Sequence, residues 1–292
     1  MKFVIGSIHS GTVDGHYFHS LVHLLTTQLL GPEGEPVESP LPIDDVIMVR
    51  SGPALQLGRG VLCNAFMEDT TADVLLMLDT DMTFTPAMIH QMWDCFQRLP
   101  ESNGPNAKIL GGLAFIASAP KINRPDLIVP NIWLDAPDRT NRYIQANSYP
   151  EDQLVKVGAT GAACLMIHRE VFEKIAADMG TNGRWFYHEH LEDGDELGED
   201  ISFCRRAAKA GYPVYVHTGL VFGHTKPVVL DDDDYRRARS TFDHRHGEGA
   251  SDDKPDRGSE LDSPTGEPDR GTSLAGPGAF PGPRPGFQPV GA

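Results

Sequence analysis

The sequence predicts an α/β fold, and three observations support that fold class. Strand-like and helix-like segments alternate three times over residues 1–99, the order that builds a parallel sheet. Within this alternation the run Val74–Leu78 (VLLML) is apolar throughout, as expected for a strand buried on both faces of such a sheet. A hydrophobic content of 40% over 292 residues is enough to bury one large core or two smaller ones. We therefore expect a central sheet covered by helices.

The first part of the chain is predicted as three strand–helix units. Apolar residues at strand or helix spacing define strands at residues 2–8, 43–50 and 74–78, and helices at residues 15–30, 54–68 and 86–99. The third helix has Thr85 in a position typical of an N-cap and Pro86 as its first residue.

After a strand at residues 109–115 the pattern changes to shorter segments. Extended segments are predicted at residues 127–134, 142–146 and 154–157, a strand at 164–168, helices at 169–178 and 198–210, and strands at 213–217 and 220–222. We expect one folded domain over residues 1–246. Residues 247–292 are rich in Gly, Pro, Ser and charged residues, and they are too poor in apolar side chains to offset the entropy of ordering. This segment is predicted to be an acidic disordered tail.

Composition limits the ligands and the location that we expect. The formal net charge is −16, from 25 basic and 41 acidic residues, so most of the surface would repel a nucleic acid. The basic residues 235–246 are predicted to form a solvated helix.

The four cysteines lack a CxxC spacing and are expected to be reduced. No signal peptide opens the chain and no apolar run approaches the ~20 residues of a membrane span, which predicts a cytoplasmic protein.

Two aspartates follow the apolar strand, at the edge of the sheet where α/β proteins bind ligands. In an extended segment Asp79 and Asp81 would point to the same face, because side chains alternate. Two adjacent carboxylates suit Mg²⁺ or Mn²⁺ and, through the cation, a phosphate. The alternative is a turn leading into the helix at Pro86, because Asp also favours turns and helix caps.

Three later segments occur with these aspartates in a known order. They are residues 158–175 (GATGAACLMIHREVFEKI), 198–216 (GEDISFCRRAAKAGYPVYV) and 222–227 (FGHTKP). Together with LDTD they resemble the GT-A superfamily of nucleotide-sugar glycosyltransferases, family-2-like, over about residues 1–230. The resemblance implies a Rossmann-type mixed sheet flanked by helices. It also implies a nucleotide-sugar half at about residues 1–115 and an acceptor half at about residues 116–230.

The resemblance further implies a metal-dependent, hexosyltransferase-type enzyme. Such an enzyme moves a sugar from a nucleotide diphosphate donor, a UDP- or GDP-sugar, to a hydroxyl of a glycan, protein or small molecule. Asp79, Asp81 and His224 would hold the Mn²⁺ or Mg²⁺ ion, whereas Glu199 and Asp200 would lie near the acceptor.

Physical chemistry supports the same roles. A cation held by the two aspartates offsets the charge that develops on a departing diphosphate, and His224 adds a ligand without adding charge. Asp200, with Glu199 beside it, is suited to accept the proton of an attacking hydroxyl if the reaction inverts the anomeric centre. If configuration is retained, Asp200 would position the acceptor instead. A structural alternative is that both acids cap a helix.

Five residues are predicted to contact the nucleotide sugar in addition to the aspartates. Ser7 and His9 leave the first strand where a base or ribose would lie, and Arg50 ends the second strand within reach of a diphosphate. Thr80 lies between the two aspartates. Arg59 takes the place of an arginine that the family often carries before them.

Two other segments have both a binding and a structural interpretation. The small residues 158–163 permit close approach of a sugar or acceptor, but they equally permit tight strand packing. The aromatic residues 185–187 would form an apolar platform for a sugar ring or belong to the core.

Two other functions compete with sugar transfer. LDTDMT also matches the DxDxT motif of haloacid-dehalogenase-like phosphatases, in which Asp79 would be the nucleophile. Gly194, Asp195 and Asp200 would then form the metal motif, although no apolar strand precedes them as it does in that family. The second alternative is a non-catalytic carbohydrate-binding module, which would bind a sugar without nucleotide or metal.

Overall fold

The computed structural model describes residues 1–27, 40–118, 127–136, 143–180, 184–192, 194–226 and 236. The chain divides into two compact units, Met1–Leu230 and Asp231–Ala292. Of the second unit only Arg236 is described, so the predicted tail and, apart from Arg236, the helix predicted at residues 235–246 lie outside the described residues. The same holds for residues 28–30 at the end of the first predicted helix. No helix in the described part is long and apolar enough to span a membrane.

The helices lie within a few residues of the predicted ones. The described residues form α1 Gly15–Thr27, α2 Leu55–Asp69, α3 Pro86–Asn103, α4 Arg169–Met179 and α5 Glu199–Lys209. As predicted, the Thr85 side chain caps α3 by accepting a hydrogen bond from the N–H of Met88. Helix α3 continues through Pro100, past its predicted end, and stops at Gly104, whose φ of 94° favours glycine.

The described strands include the predicted ones and several short pairs. They are β1 Phe3–His9, β2 Ile43–Arg50, β3 Val74–Leu78, β4 Met82–Thr83, β5 Ile109–Leu113, β6 Phe115–Ser118, β7 Leu127–Pro130, β8 Ile132–Asp135, β9 Tyr143–Gln145, β10 Leu154–Val157, β11 Ala159–Thr160, β12 Cys164–His168, β13 Glu189–His190, β14 Glu196–Leu197, β15 Val214–Val221 and β16 Gly223–His224. The two strands predicted at residues 213–217 and 220–222 are one strand, β15, with a register shift between His217 and Val221. Residues 218–220 are not paired with β5, so this pairing is interrupted while β15 itself continues.

Seven strands form a mixed central sheet in the order β10-β15-β5-β12-β3-β1-β2. Strand β1 pairs in parallel with β2 and β3, as strand–helix alternation predicts. Strand β12 runs antiparallel between β3 and β5, with Cys164 opposite Leu78. The predicted mixed sheet is therefore confirmed. Because β12 begins beside the end of β3, the small residues that precede it lie next to Asp79, whose N–H donates to the carbonyl of Ala163.

Helices cover both faces of the sheet and bury a core on each side. Helices α2, α4 and α5 pack on one face, and α1 and α3 pack on the other. In β3, Leu75 and Met77 face the first core, and Leu76 and Leu78 face the second. Every residue of β3 is at most 2% exposed, and such burial contributes about 1.5–3 kcal/mol per large side chain. All four cysteines are free thiols, as predicted.

Candidate active site

The segment from Asp79 to Asp81 forms a turn. The carbonyl oxygen of Asp79 accepts a hydrogen bond from the backbone nitrogen of Met82 at 3.0 Å. The prediction of an extended segment is therefore wrong, and the alternative of a turn is confirmed. The turn forms because β4, which follows it at once, pairs with β16 rather than continuing β3. Both carboxylates nevertheless line one cavity.

This cavity has a volume of about 750 Å³ and lies at the carboxyl ends of β1 and β3, where α/β sheets bind ligands. It is lined by eight of the predicted site residues: His9, Arg59, Asp79, Thr80, Asp81, Glu199, Asp200 and His224. Ser7 and Arg50 are not among the described residues that line it. The Ser7 hydroxyl is buried and hydrogen-bonded to the hydroxyl of Tyr17, and the Arg50 side chain is exposed.

Arg59 lies among three of the acidic side chains. It is only 2% exposed, and its Nη2 is 3.0 Å from Asp79 Oδ2. Its Nη1 is 2.7 Å from Glu199 Oε1 and 3.0 Å from Asp200 Oδ1. Burial alone would lower the pKa of Arg59, but the three carboxylates raise it by more, so the guanidinium stays charged. One guanidinium facing three carboxylates leaves an excess of negative charge, which attracts cations.

Asp200 and Glu199 lie in the first turn of α5. Burial raises the pKa of Asp200 to about 6; the charge of Arg59 opposes this increase, and the charges of Glu199 and Asp79 add to it. A carboxyl group that titrates this close to neutrality is suited to proton transfer. Both acids lie in the first turn of α5, where they complement the helix dipole; the N-cap itself is Gly198, and no side chain caps the helix by a hydrogen bond.

Asp81 and His224 meet across the short sheet of β4 and β16, in which His224 pairs with Met82. His224 Nε2 is 3.1 Å from Asp81 Oδ2, and His224 Nδ1 is 2.9 Å from the carbonyl oxygen of Phe115. The hydrogen bond to Asp81 raises the pKa of His224. Burial acts to raise the pKa of Asp81, but hydrogen bonds from His224 and Lys226 outweigh it and lower the pKa to about 2.

The Asp81 carboxylate and the His224 imidazole are side-chain types that bind divalent cations. The carbonyl oxygen of Phe115 and the carboxylate of Asp81 both accept, so His224 donates from both ring nitrogens when it is protonated. When the ring is neutral with its proton on Nδ1, the lone pair of Nε2 is available to a cation beside Asp81. A carboxylate and an imidazole oriented in this way suit Mn²⁺. Within the described residues, however, no three His, Cys, Asp or Glu side chains are gathered into a metal site. The physical reason is that Asp79 pairs with Arg59 instead.

Two residues that are predicted to contact the nucleotide sugar, His9 and Thr80, lie at or against the end of β1. Thr80 Oγ1 donates to the carbonyl oxygen of Ile8 at 3.0 Å, which fixes the turn against this strand. His9 Nδ1 is buried and has no hydrogen-bond partner among the described residues. A buried polar atom without a partner is costly, so His9 is suited to bind a polar ligand in the cavity.

Six polar lining residues were not predicted from the sequence: Ser10, Thr12, Asp14, Ser51, Asn131 and Lys226. Asp14 accepts a hydrogen bond from the N–H of His16 at the start of α1, and an aspartate before a helix was the available signal. Lys226 lies in the FGHTKP segment itself. Asn131 is buried, and no local pattern marks it.

The small-residue and aromatic segments divide between binding and packing. Gly161 lines the cavity, and a Cβ atom there would lie 3.7 Å from Asp200 Oδ2. A Cβ atom at Gly158 would lie 2.8 Å from a side-chain atom of β8, so this glycine serves strand packing. Phe186 is 2% exposed and stacks on Phe203 with ring centroids 4.5 Å apart. It therefore belongs to the core.

Only part of the phosphatase motif is brought together: Asp200 lines the cavity with Asp79 and Asp81, whereas Gly194 and Asp195 do not. Gly194 and Asp195 lie between the short strands β13 and β14, and Asp195 is exposed. Asp195 is not among the described residues that line the cavity of Asp79. Asp79 instead contacts Arg59, which leaves its carboxylate paired with a guanidinium.

The fold and the site together define an α/β protein with an acidic cavity at one edge of a mixed sheet. No protein-family model matches the chain, and no curated protein matches it. Among solved structures, A197 from STIV is 15% identical with a TM-score of 0.43, over 78% of this chain and 87% of that one. GalNAc-T7, solved with UDP, GalNAc and Mn²⁺, is 9% identical with a TM-score of 0.46, over 78% of this chain and 44% of that one. These likenesses are too distant to assign an activity.

Proposed function

We propose that the chain is a glycosyltransferase that moves a sugar from a nucleotide diphosphate donor to a hydroxyl acceptor. The main observation that supports the proposal is that Arg59 contacts acidic residues of two different segments. Its guanidinium contacts Asp79 on one side and Asp200 on the other, within one cavity. Asp79, which would hold the diphosphate through a cation, and Asp200, which would act on the acceptor hydroxyl, therefore lie on either side of the Arg59 side chain.

The donor is proposed to lie between β1 and the turn after β3. A volume of about 750 Å³ is within the range of pockets that hold ligands of this size. His9 and Thr80 would contact the base or ribose of a UDP- or GDP-sugar. Ser7 and Arg50 are left out of this proposal because neither lines the cavity.

Asp79, Asp81 and His224 are proposed to hold Mn²⁺ or Mg²⁺. The bound cation would offset the charge that develops on the diphosphate as the bond to the sugar breaks. Asp81 and His224 already face each other at 3.1 Å, and Asp79 lies on the same turn as Asp81, where it would exchange its contact with Arg59 for the cation. With the cation held there, the three residues would orient the diphosphate in the cavity.

Asp200 is proposed to act on the acceptor. Its carboxylate accepts the hydroxyl proton, the hydroxyl oxygen bonds to the anomeric carbon, and the bond from that carbon to the diphosphate oxygen breaks. A base in this role corresponds to inversion at the anomeric carbon, so the stereochemistry of the product tests it. Arg59, which also contacts Glu199, lies 3.0 Å from Asp200 Oδ1 and would hold this carboxylate in place.

A thermal-shift screen tests the proposed function. UDP-, GDP-, CDP- and dTDP-sugars are each added with and without Mn²⁺ to the wild type and to Asp81→Ala, with Asp94→Ala on the exposed side of α3 as control. One nucleotide sugar is expected to raise the Tm only with Mn²⁺, and only when Asp81 is present, because a ligand that binds the native state stabilises it.

Other outcomes of the screen would replace the proposal. A rise in Tm with free sugars, independent of nucleotide and metal, would identify a carbohydrate-binding module. Hydrolysis of p-nitrophenyl phosphate that is lost in Asp79→Asn, without any response to nucleotide sugars, would identify a phosphatase.

A further inference from the structure

Lys226 contacts the same carboxylate oxygen as His224. Its Nζ is 2.7 Å from Asp81 Oδ2, and His224 Nε2 is 3.1 Å from that atom. The Lys226 side chain is 45% exposed and lines the cavity directly beside β16. An ammonium group therefore occupies the position beside Asp81 that a metal ion would need.

Arg59 and Lys226 are the permanently charged basic side chains among the described residues that line the cavity. Arg59 is almost completely buried and contacts three carboxylates, so it is held in place. Lys226 contacts one carboxylate of the cavity and carries its charge on a flexible stem with three donors. Of the two, Lys226 is the one that can exchange its partner when a ligand enters.

We infer that Lys226 is a diphosphate-binding residue that neutralises Asp81 while the cavity is empty and turns to the diphosphate when a nucleotide enters. This inference rests on the proposed function and extends it with one further donor contact. In the empty cavity the ammonium competes with a metal ion for Asp81 Oδ2. Once Asp81 is shared with a metal ion, the ammonium is repelled from that oxygen and attracted to phosphate oxygens. Metal and nucleotide diphosphate are thereby bound cooperatively, through the exchange of one side chain.

The two roles of Lys226 predict that Lys226→Met raises the affinity for Mn²⁺ and lowers the affinity for a nucleotide diphosphate. Mn²⁺ alone is expected to bind about two- to fivefold more tightly, since a competing, partly exposed ion pair is removed. UDP or GDP in the presence of saturating Mn²⁺ is expected to bind about tenfold more weakly, since a charged contact to phosphate is lost. Isothermal titration calorimetry on the full chain measures both affinities without relying on turnover.

Two further variants serve as controls. Lys156→Met on β10 removes an exposed lysine that does not line the cavity, and it is expected to change neither affinity. Lys226→Arg retains the charge and is expected to restore nucleotide binding to within a few-fold of the wild type. Because Lys226 is partly exposed, circular dichroism is expected to find each variant folded.

The outcomes separate this inference from the proposed function. If the wild type binds UDP or GDP with Mn²⁺ and Lys226→Met does so equally well, the diphosphate role is overturned while the proposed function stands. Unchanged or weaker Mn²⁺ binding in Lys226→Met overturns the competition with metal. A wild type that binds neither nucleotide with Mn²⁺ overturns both.

Discussion

Arg59 Nη1 lies 2.7 Å from Glu199 Oε1, although 140 positions separate the two residues along the chain. The contact joins α2 to the first turn of α5 across the edge of the sheet. Through the same guanidinium it links the turn after β3 to the acids at the start of α5. The two halves of the cavity are therefore connected by one buried cation, and its removal tests how far they depend on it.

Arg59→Met is expected to destabilise the protein by about 3–5 kcal/mol, because it leaves three partly buried carboxylates without their shared partner. Chemical denaturation at pH 7 measures the free energy of unfolding. Arg98→Met on the exposed side of α3 is the matched control and is expected to change this free energy by less than about 0.5 kcal/mol. Equal stability of the two variants would show that Arg59 is not essential to the cavity.

Asp200→Asn is expected to lower kcat by about 10²–10⁴-fold, because an amide cannot take up the proton of the attacking hydroxyl group. Binding of the nucleotide diphosphate with Mn²⁺ is expected to change little, since the substitution keeps the size of the side chain. Initial rates and calorimetry on the same preparation separate the two effects. A loss confined to nucleotide affinity would contradict the role of Asp200 as a base.

Asp200 also predicts a pH dependence of stability. Its folded pKa of about 6 lies above its ordinary value, so the folded state binds the proton more tightly than the unfolded state. This contribution to stability is present in full below the unfolded pKa and is lost as the pH rises through about 6.

Asp200→Asn removes this ionisation. At pH 7 the variant is therefore expected to be more stable than the wild type by roughly 1–3 kcal/mol, and the difference is expected to shrink towards pH 4. Urea denaturation at both pH values measures it. A difference that does not vary with pH would contradict the raised pKa.

Gly112→Ala is expected to destabilise the protein by about 1–3 kcal/mol. A Cβ atom at Gly112 would lie 2.4 Å from the ring of Phe222, which directly precedes β16 and His224. Displacement of this ring is therefore expected to weaken Mn²⁺ binding as well. Gly15→Ala is the matched control, because a Cβ atom there meets nothing within 4 Å. Similar Tm values for the two variants would contradict the expected clash.

The sequence alone was sufficient for features that depend on neighbouring residues. The apolar run of β3 and the Thr85–Pro86 start of α3 identify these elements because burial and capping act on adjacent positions. Asp79 and Asp81 were recognisable as candidate metal ligands for the same reason, because they lie close together directly after β3. It offered a turn only as the alternative to an extended segment, because the pairing of β4 with β16, much later in the chain, has no local signal.

The sequence by itself determined the fold class and eight of the residues that line the cavity. Only the tertiary structure decided their partners: Arg59 for Asp79 and Asp200, and His224 and Lys226 for Asp81. It also decided that Ser7 and Arg50 lie outside the cavity lining. The physical reason is that ion pairs depend on which strands are neighbours. Sheet order brings together side chains whose spacing along the chain carries no information about their contact.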